Sequence, residues 1–461
     1  VHVTRDGGQT WTNVTPPDAG ETLINAIDVS PHDPASAYIA VTGYKNNDFT
    51  PVAYKTNNYG KSWTKIANGI EYGAFVRVVR EDLNRRGLLY AGTERGLYVS
   101  FDDGKNWEKM QLNLPVCPIN DITFQDNDLV AATMGRAFWI LDDLGPIQQA
   151  NLADMEKEIT LFSPKPAYKF SGGGTSPSTS AGQNPLNGVI IYYNLPENMD
   201  STTLTLDILD KNGDLVRSFS SKKEKTKTWT GGPQPEPAIP NKKGVNRFNW
   251  DLSREAGPGV EGVFMLGNYN SGEVMPGKYT VRLSDGKQQL EAEAVVLGDP
   301  RIDASLEDYE AQEVLLKQLE RTFHEIHTSV NEMRALKDQI LAIIKPLKDK
   351  PEMNELVEQG EAISKQIDTW EQALIQPKQK TFQDVINFPN RLNAEIASLI
   401  GRVGQANPKL TEGTKERMED VQKEWSESQE AMRELVNEKI PAFNKLYQSK
   451  GIAPILLPGK A

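Results

Sequence analysis

Short runs of alternating apolar and polar residues fill the first third of the chain, and these runs come in groups. Alternation with a period of two is typical of half-buried β-strands. The predicted strands are Ile24–Ser30, Ala37–Thr42, Val52–Thr56 and Ser62–Ile66; then Phe75–Glu81, Leu88–Thr93, Leu97–Ser100 and Trp107–Met110; then Ile119–Phe124, Leu129–Thr133 and Ala137–Leu141. Four short strands repeating every ~40–50 residues predict the blades of a β-propeller.

One turn motif recurs three times in register with these strands. Its frame is Ser/Thr-x-Asp/Asn-x-Gly-x-x-Trp, and we call it the box. The Asp or Asn oxygen can accept backbone N–H bonds, the glycine permits a positive φ, and the tryptophan can anchor the outgoing strand. We therefore predict that the box residues, aspartates included, stabilise the fold and take no part in catalysis. They are Thr4, Asp6, Gly8 and Trp11; Thr56, Asn58, Gly60 and Trp63; and Ser100, Asp102, Gly104 and Trp107.

These strands account for only about three blades, including a half-blade at residues 1–15. A propeller needs about 4–8 blades to close around its axis, and an open set would expose edge strands. We therefore expect further blades of the same gene product before Val1. Those N-terminal blades are the first partner that the sequence predicts.

The pattern changes twice more along the chain. A linker is predicted at 147–160, an irregular loop at 171–188, and an exposed hairpin at Lys222–Lys227. Alternating strands are predicted at Val189–Tyr193, Thr203–Leu209, Leu215–Ser220, Asn246–Leu252, Lys278–Leu283 and Glu291–Leu297. They favour an immunoglobulin- or fibronectin-like β-sandwich. The predicted domains are thus propeller blades at 1–146, a sandwich at 161–299 and a helical bundle at 300–461.

After residue 300 the apolar positions follow a helical period. Ser305 and Asp308 form a predicted capping box, and Pro346 is expected to end the first helix. Further helices are predicted at Met353–Ile375, Phe382–Val403 and Glu412–Gln448. Four amphipathic helices with short connections predict an antiparallel bundle, with association with another chain as the alternative.

Composition and charge exclude some functions. The net charge is −12, and no basic patch with interleaved aromatic residues occurs, so no nucleic-acid partner is predicted. No apolar run reaches the ~18–20 residues that a membrane span requires. Cys117, the only cysteine, cannot form an internal disulfide and is expected to be a buried thiol.

A metal site is considered at His324-Glu325-Ile326-His327. The zincin motif places its histidines four residues apart, whereas these two are three apart and lack an evident third ligand. We expect a solvated helix flank here, and we predict neither metal nor cofactor.

The loops that face the propeller axis are the predicted place for a site. Thr42, Thr93 and Thr133 occupy equivalent strand ends, and the loops after them carry the candidate ligand-binding residues. These are Tyr44, Lys45, Asp48, Glu94, Arg95 and Arg136. Arginine can bind a carboxylate through two bonds, and Glu94 or Asp48 could serve as an acid or base. The alternative is that Arg95 and Arg136 pair with neighbouring acids and hold blades together.

Several segments resemble the Asp-box (bacterial neuraminidase repeat) propellers, specifically a sortilin-like branch often labelled glycosyl hydrolase. The resemblance rests on the boxes and on Ser30–Pro34, Tyr54–Thr56, Arg77–Asp82, Leu89–Glu94 and Gly135–Leu144. Asn58 and Met134 depart from the usual pattern. The resemblance implies a sandwich and a helical segment after the propeller, and an exported, extracytoplasmic protein of a Bacteroidetes-like bacterium.

The first functional hypothesis is an exported interaction module that binds a glycan or a protein. The second is a glycoside hydrolase with some catalytic carboxylates in the expected N-terminal blades. Glycosidases need two suitably placed carboxyl groups, and this sequence alone does not complete such a pair. A peptide receptor like sortilin is a weaker third hypothesis, because the cysteine-rich module after the propeller is absent. Whether the protein is an enzyme stays open.

Overall fold

A computed structural model describes residues 1–170, 182–223, 227–267 and 269–451. The chain divides into two compact units, Val1–Leu152 and Ala153–Ala461. The predicted loop at 171–188 and the predicted hairpin at Lys222–Lys227 lie partly outside the described residues. Each unit is described by itself.

The first unit consists of small antiparallel sheets in which each strand pairs with its neighbour along the chain. In order, the sheets have two, four, four and three strands. The strands are β1 His2–Val3, β2 Thr12–Asn13; β3 Leu23–Val29, β4 Ala37–Gly43, β5 Asp48–Thr56, β6 Thr64–Lys65; β7 Val76–Glu81, β8 Leu89–Thr93, β9 Gly96–Ser100, β10 Glu108–Lys109; β11 Ile119–Gln125, β12 Asp128–Thr133 and β13 Phe138–Leu141. Successive four-stranded meanders are the blade architecture of a β-propeller, as predicted.

Apolar side chains between the sheets hold this unit together. Alternate residues of the β7–β10 sheet point to opposite faces. Leu89, Ala91 and Tyr98 pack towards the β3–β6 sheet. Leu97 and Val99 join a second cluster with the β11–β13 sheet, and buried Cys117 lies in that cluster as a free thiol.

The three boxes form the same hydrogen-bond pattern. In each, the glycine amide donates to the Ser or Thr hydroxyl, and a later amide donates to the Asp or Asn side chain. The first bond measures 2.8 Å at Gly8, 2.9 Å at Gly60 and 2.9 Å at Gly104. The second measures 2.9 Å to Asp6, 3.0 Å to Asn58 and 2.9 Å to Asp102. The boxes are therefore turn-stabilising elements, and Asn58 fills the role of Asp.

The box tryptophans tie each sheet to the one before it. Trp63 donates through Nε1 to the Val14 carbonyl at 2.7 Å, and Trp107 donates to the carbonyl of Ile66. Val14 and Ile66 occupy equivalent positions, three residues after Trp11 and Trp63. Trp11 itself is 61% exposed, whereas Trp107 is 4% exposed.

The segment predicted as a linker contains two short helices, α1 Gly145–Gln149 and α2 Leu152–Met155. Helix α1 is held within the first unit, because Arg85 donates to the carbonyls of Ile147, Gln148 and Ala150. Carbonyls at the end of a helix lack the full set of intrahelical donors, and the guanidinium supplies donors to them. Apolar periodicity cannot reveal a helix this short.

The second unit has two sheets that share one apolar core. The three-stranded sheet has the order β14-β16-β19, and the five-stranded sheet has the order β15-β21-β20-β17-β18. Their strands are β14 Thr160–Leu161, β15 Ala167–Lys169, β16 Val189–Leu195, β17 Thr205–Leu209, β18 Leu215–Ser220, β19 Gly244–Trp250, β20 Gly277–Ser284 and β21 Gln289–Gly298. The immunoglobulin- or fibronectin-like character of this pair of sheets stays a prediction.

After β21, the described residues of this unit are mainly helical. They are α3 Leu306–Ile344, α4 Asn354–Leu374, α5 Leu392–Val403, α6 Glu412–Glu434 and α7 Ile440–Ser449. Ser305 and Asp308 form the expected capping box at the start of α3. Within the described ranges, no helix combines the length and the apolar character needed to cross a membrane.

Two predicted helices differ from the structure at their prolines. The predicted helix Phe382–Val403 divides into a 3₁₀ turn at Phe382–Ile386 and helix α5. Pro389 lies in the break, since proline disfavours a helical residue before it and lacks an N–H. The predicted helix Glu412–Gln448 contains a π-helical turn, Leu435–Lys439, just before Pro441. That turn accommodates the missing donor of the proline.

Candidate functional site on the blade loops

The first strand of each blade sheet is interrupted by a β-bulge near its start. The bulges lie between Ile24 and Ala26, between Val76 and Val78, and between Ile119 and Asp121. A bulge leaves one residue without a cross-strand partner and re-aims its side chain. In the middle sheet that residue is Arg77.

The Arg77 bulge forms an ion pair with Glu94 from the loop after β8. The Nε and Nη2 atoms of Arg77 lie 2.7 Å and 2.5 Å from Glu94 Oε2. The guanidinium also lies 5.2 Å from the ring centre of Phe75. The Glu94 amide donates to the Phe75 carbonyl at 3.1 Å, which fixes the loop beside the strand. A charge-assisted pair of this kind has a well-defined orientation.

An aromatic stack adjoins this ion pair. Tyr44, in the loop after β4, stacks on Phe75 with ring centres 5.2 Å apart and planes 10° apart. Phe49 approaches the same ring at 6.3 Å. Phe75 is buried, whereas Tyr44 is exposed. Residues beside two consecutive sheets thus form one aromatic cluster, of which Tyr44 is the exposed member.

Arg95 completes this surface, which we call the Tyr44 patch: Tyr44, Phe75, Arg77, Glu94 and Arg95. The Gly73 amide donates to the Phe49 carbonyl at 3.1 Å. Gly73 has a φ of 88°, and a Cβ there would lie 3.3 Å from an Arg95 guanidinium nitrogen. The turn at Gly73 therefore packs against Arg95 and is hydrogen-bonded to Phe49, which contacts the same aromatic ring as Tyr44.

The other predicted residues lie outside the patch. Lys45 is exposed on the turn that carries Tyr44. The hydroxyl and amide of Thr50 lower the pKa of Asp48. Arg136 is exposed on the β11–β13 sheet, where the Met134 amide donates to the Pro118 carbonyl as Glu94 does to Phe75. Its loop is therefore equivalent to that of Glu94, on the next blade.

A different arginine performs the blade-linking role that the sequence assigned, as an alternative, to Arg95 and Arg136. Arg80 donates from Nη2 to Asp121 at 2.7 Å, from Nη1 to Asp28 at 3.3 Å and from Nε to the Ile122 carbonyl at 2.9 Å. These residues belong to the first strands of three successive sheets. Burial raises the pKa of Asp28 above its usual range. Arg80 thereby bridges three blades.

The sequence did not single out Phe75 or Arg77 for the site. The one feature of the sequence that bears on the position of Arg77 is its spacing from Arg80, three residues later in the same strand. Strict alternation would place them on opposite faces, and the bulge changes this relation. A bulge is invisible without the cross-strand register.

The expected solvated helix flank at His324 and His327 is wrong for His327. Its side chain is fully buried, with Nδ1 at 2.8 Å from the Pro258 carbonyl and Nε2 at 3.2 Å from Asn393. Burial lowers the pKa of His327 to about 4. The loop and helix α5 that cover this face could not be inferred from the helical period. Within the described ranges, no group of three or more His, Cys, Asp or Glu side chains is placed to hold a metal ion.

Comparison with known proteins shows similarity only among solved structures. No family model matches the chain, and no curated protein matches it. YCF48 bound to D1 peptide is 15% identical, with 63% of this chain and 74% of that chain covered and a TM-score of 0.25. The GH74 xyloglucanase of Xanthomonas campestris is 13% identical over 63% of this chain and 41% of that one, with a TM-score of 0.24. The extracellular domain of a hybrid two-component system from B. thetaiotaomicron is 10% identical over 65% and 34%, with a TM-score of 0.25. The chain therefore spans less than half the length of the last two.

Proposed function

We propose that this chain is part of an exported binding protein, and that a glycan or protein ligand binds at the Tyr44 patch. One observation carries the proposal: Tyr44 stacks on buried Phe75, directly beside the Arg77–Glu94 ion pair. Binding sites typically combine aromatic surface with a few precisely placed polar groups.

The patch is ordered before any ligand arrives. The buried ring of Phe75 packs against one face of the Tyr44 ring, and the ion pair with Glu94 orients the Arg77 guanidinium. Side chains that are already held in place lose little conformational entropy on binding. Tyrosine and arginine also dominate the energetics of many interfaces.

The charges near the patch favour binding over acid catalysis. A glycosidase acid usually needs a carboxyl group with a raised pKa. Hydrogen bonds from Thr50 instead lower the pKa of Asp48, and Glu94 accepts a hydrogen bond from Arg77 within their ion pair. Asp48 is therefore suited to remain charged, and Glu94 is held by Arg77 in an orientation suited to contacting a polar ligand.

The extracytoplasmic location is part of the proposal. It is supported by the resemblance of the box repeats to exported Asp-box propellers of the sortilin-like, glycosyl hydrolase-labelled branch. Antibody detection of the native protein in periplasmic, surface and cytoplasmic fractions would test the location separately from ligand binding.

The binding proposal is tested by screening the intact chain on a glycan array and in pull-downs of extracellular proteins. For any ligand found, Tyr44→Ala should weaken binding at least ~10-fold, as expected for a central aromatic contact. Tyr168→Ala, which removes an exposed tyrosine in the second unit, is the matched control and should leave affinity unchanged.

Two results would contradict the proposal. Equal ligand affinity of the Tyr44→Ala variant and the parent chain would place binding elsewhere. Hydrolysis of a polysaccharide by the parent chain, but not by the Glu94→Gln variant, would make the patch a catalytic site and favour the hydrolase hypothesis.

A further inference from the structure

The connection between helices α4 and α5 exposes two large apolar side chains on one short turn. Phe382 and Ile386 begin and end the 3₁₀ turn Phe382–Ile386, which we call the Phe382 turn, and they are 64% and 80% exposed. Single exposed apolar residues are ordinary on a protein surface. Two such residues four positions apart form a concentrated apolar tip.

Backbone hydrogen bonds hold this turn in place. One carboxylate oxygen of Asp384 accepts from the amide of Lys380 at 2.7 Å and from the amide of Thr381 at 2.9 Å. The Asp384 carbonyl accepts from the amides of Asn387 at 3.1 Å and Phe388 at 2.8 Å. The turn is thus closed on both sides, so ordered backbone presents its apolar side chains.

Two buried glutamines tie the connection to the rest of the unit. Gln379 donates through Nε2 to the Phe388 carbonyl at 2.6 Å, and Gln376 donates through Nε2 to the Pro389 carbonyl at 3.1 Å. Leaving a buried amide donor unpaired is costly. Phe382 and Ile386 therefore cannot turn inward without breaking bonds that the segment makes to buried groups.

The same connection is basic, although the chain has a net charge of −12. Residues 375–391 contain Lys378, Lys380 and Arg391, and their one acidic residue is Asp384. Asp384 is engaged by backbone amides, and the Lys380 ammonium donates to the Gly262 carbonyl at 3.0 Å. Lys378 and Arg391 are exposed on the two sides of the turn in the sequence. The connection thus complements an anionic surface.

We propose that the Phe382 turn contacts an anionic lipid bilayer. Phe382 and Ile386 enter the headgroup region, and Lys378 and Arg391 bind the lipid phosphates. Segments that bind at a membrane surface combine these features, because apolar burial and attraction to anionic lipid both contribute to binding.

The extent of the exposed apolar surface favours a bilayer over a protein partner. A specific protein interface buries about 800 Å² on each partner. From Asn354 to Val403, a stretch that is fully described, Phe382 and Ile386 are the only exposed large apolar side chains. A bilayer can accept so small a tip, because it needs no matching concave surface.

Sedimentation of the full chain with vesicles tests the apolar contact. The vesicles contain phosphatidylcholine and about one quarter phosphatidylglycerol, as the anionic lipid. Phe382→Ser/Ile386→Ser should bind at least ~10-fold more weakly, because it removes both side chains that enter the bilayer. Leu215→Ser/Val245→Ser is the matched control, and it should leave binding unchanged. All four positions are exposed, so both variants should fold.

Charge reversal tests the contact with lipid phosphate. Lys378→Glu/Arg391→Glu should weaken binding to the anionic vesicles at least ~5-fold. Lys211→Glu/Lys287→Glu makes the same change in net charge at exposed positions in two β-turns, and its effect should stay under ~2-fold because distant charges are screened. The parent chain should also bind at least ~5-fold more weakly to vesicles of phosphatidylcholine alone.

A fluorescent label tests whether the turn itself enters the bilayer. Cys117 is buried and is the only cysteine, so Ile386→Cys can be labelled selectively with the environment-sensitive dye NBD. Addition of anionic vesicles should raise the emission and shift it to shorter wavelength, because the dye moves into apolar surroundings. The same dye at Leu215→Cys should not respond.

Three results would overturn the proposal. One is the absence of vesicle binding by the parent chain, which would favour a protein partner for the turn. Another is equal binding by the parent chain and Phe382→Ser/Ile386→Ser. The third is an unchanged emission from the dye at position 386 when the labelled chain sediments with the vesicles.

Discussion

The two units use buried polar groups in different ways. The first unit repeats one local device, since each box satisfies its turn with bonds between residues four apart. The second unit contains a cluster of buried charges that are far apart in the chain. Arg254 contacts Glu313 and Glu320 of helix α3, and its Nη1 lies 3.1 Å from Glu320.

The cluster in the second unit joins a loop after β19 to helix α3. Arg254 also donates to the Gly272 carbonyl at 3.1 Å, and the Gly272 amide donates to Glu320 at 2.6 Å. Nearby, buried Lys169 donates to Gln312 at 3.2 Å. Burial raises the pKa of Glu320 and lowers that of Lys169 to about 8.

The two units should differ in how strongly their stability responds to the loss of one polar interaction. Loss of one box bond affects a single local turn, whereas loss of one buried charge leaves partners from distant parts of the chain unpaired in a low-dielectric region. The second unit should therefore be more sensitive to a single polar substitution, and the first more sensitive to loss of the apolar tryptophans.

The largest effect is expected from Arg254→Met. The substitution leaves Glu313 and Glu320 without their guanidinium, and breaking a buried ion pair costs about 3–5 kcal/mol. Denaturant unfolding followed by circular dichroism would measure the loss. Lys278→Met, which breaks an exposed pair with Glu293, should cost less than about 1 kcal/mol. Equal losses would remove the contrast between buried and surface charges.

Trp107→Ala should destabilise the first unit by about 3–4 kcal/mol, because it empties a buried site between two sheets. Trp11→Ala is the matched control at the equivalent box position, where the side chain is exposed, and it should cost under about 1 kcal/mol. Limited proteolysis and thermal unfolding of the two variants would compare them. A similar loss in both would mean that the tryptophans act within their own turns.

Lys169 should make the stability of the second unit depend on pH in the alkaline range. Its folded pKa of about 8 lies below the ordinary value of 10.5. The unfolded chain therefore binds more protons between these values, so Lys169 should make the folded state more stable as pH rises from about 8 to 10.5, by up to about 3 kcal/mol. The unfolding free energies of the parent and Lys169→Met would be measured at pH 7 and pH 10. The difference between the two chains should change between these pH values in favour of the parent at pH 10. A constant difference would contradict it.

The smallest expected change in stability distinguishes backbone strain from overpacking at two box glycines. Gly104 has a φ of 82°, and a Cβ there would lie 2.9 Å from Ile66 of the preceding sheet. At Gly8 the φ is 93°, and the nearest neighbour is Trp11 at 3.9 Å. Gly104→Ala should therefore cost about 1–2 kcal/mol more than Gly8→Ala, since only the former adds overpacking to backbone strain. Thermal unfolding would measure the difference.

The candidate site could be predicted only in part. Internal repetition pointed to the loops with Tyr44, Glu94 and Arg95, and the structure brings these three together. The partners of those residues were missed, because Phe75 reads as an ordinary strand residue and Arg77 is re-aimed by a bulge. Lys45, Asp48 and Arg136 share the loops but lie outside the patch, because loop position alone does not decide what a side chain contacts.

The sequence by itself determined the local elements, because these depend on near neighbours. Period-two alternation predicted the blade strands, the box spacing predicted the turns, and Ser305 with Asp308 predicted the start of α3. Only the tertiary structure decided which long-range groups meet: Trp107 with Ile66, Arg80 with three sheets, and Arg254 with helix α3. Such contacts join residues tens of positions apart, and their energies depend on burial, which the order of residues along a chain does not specify.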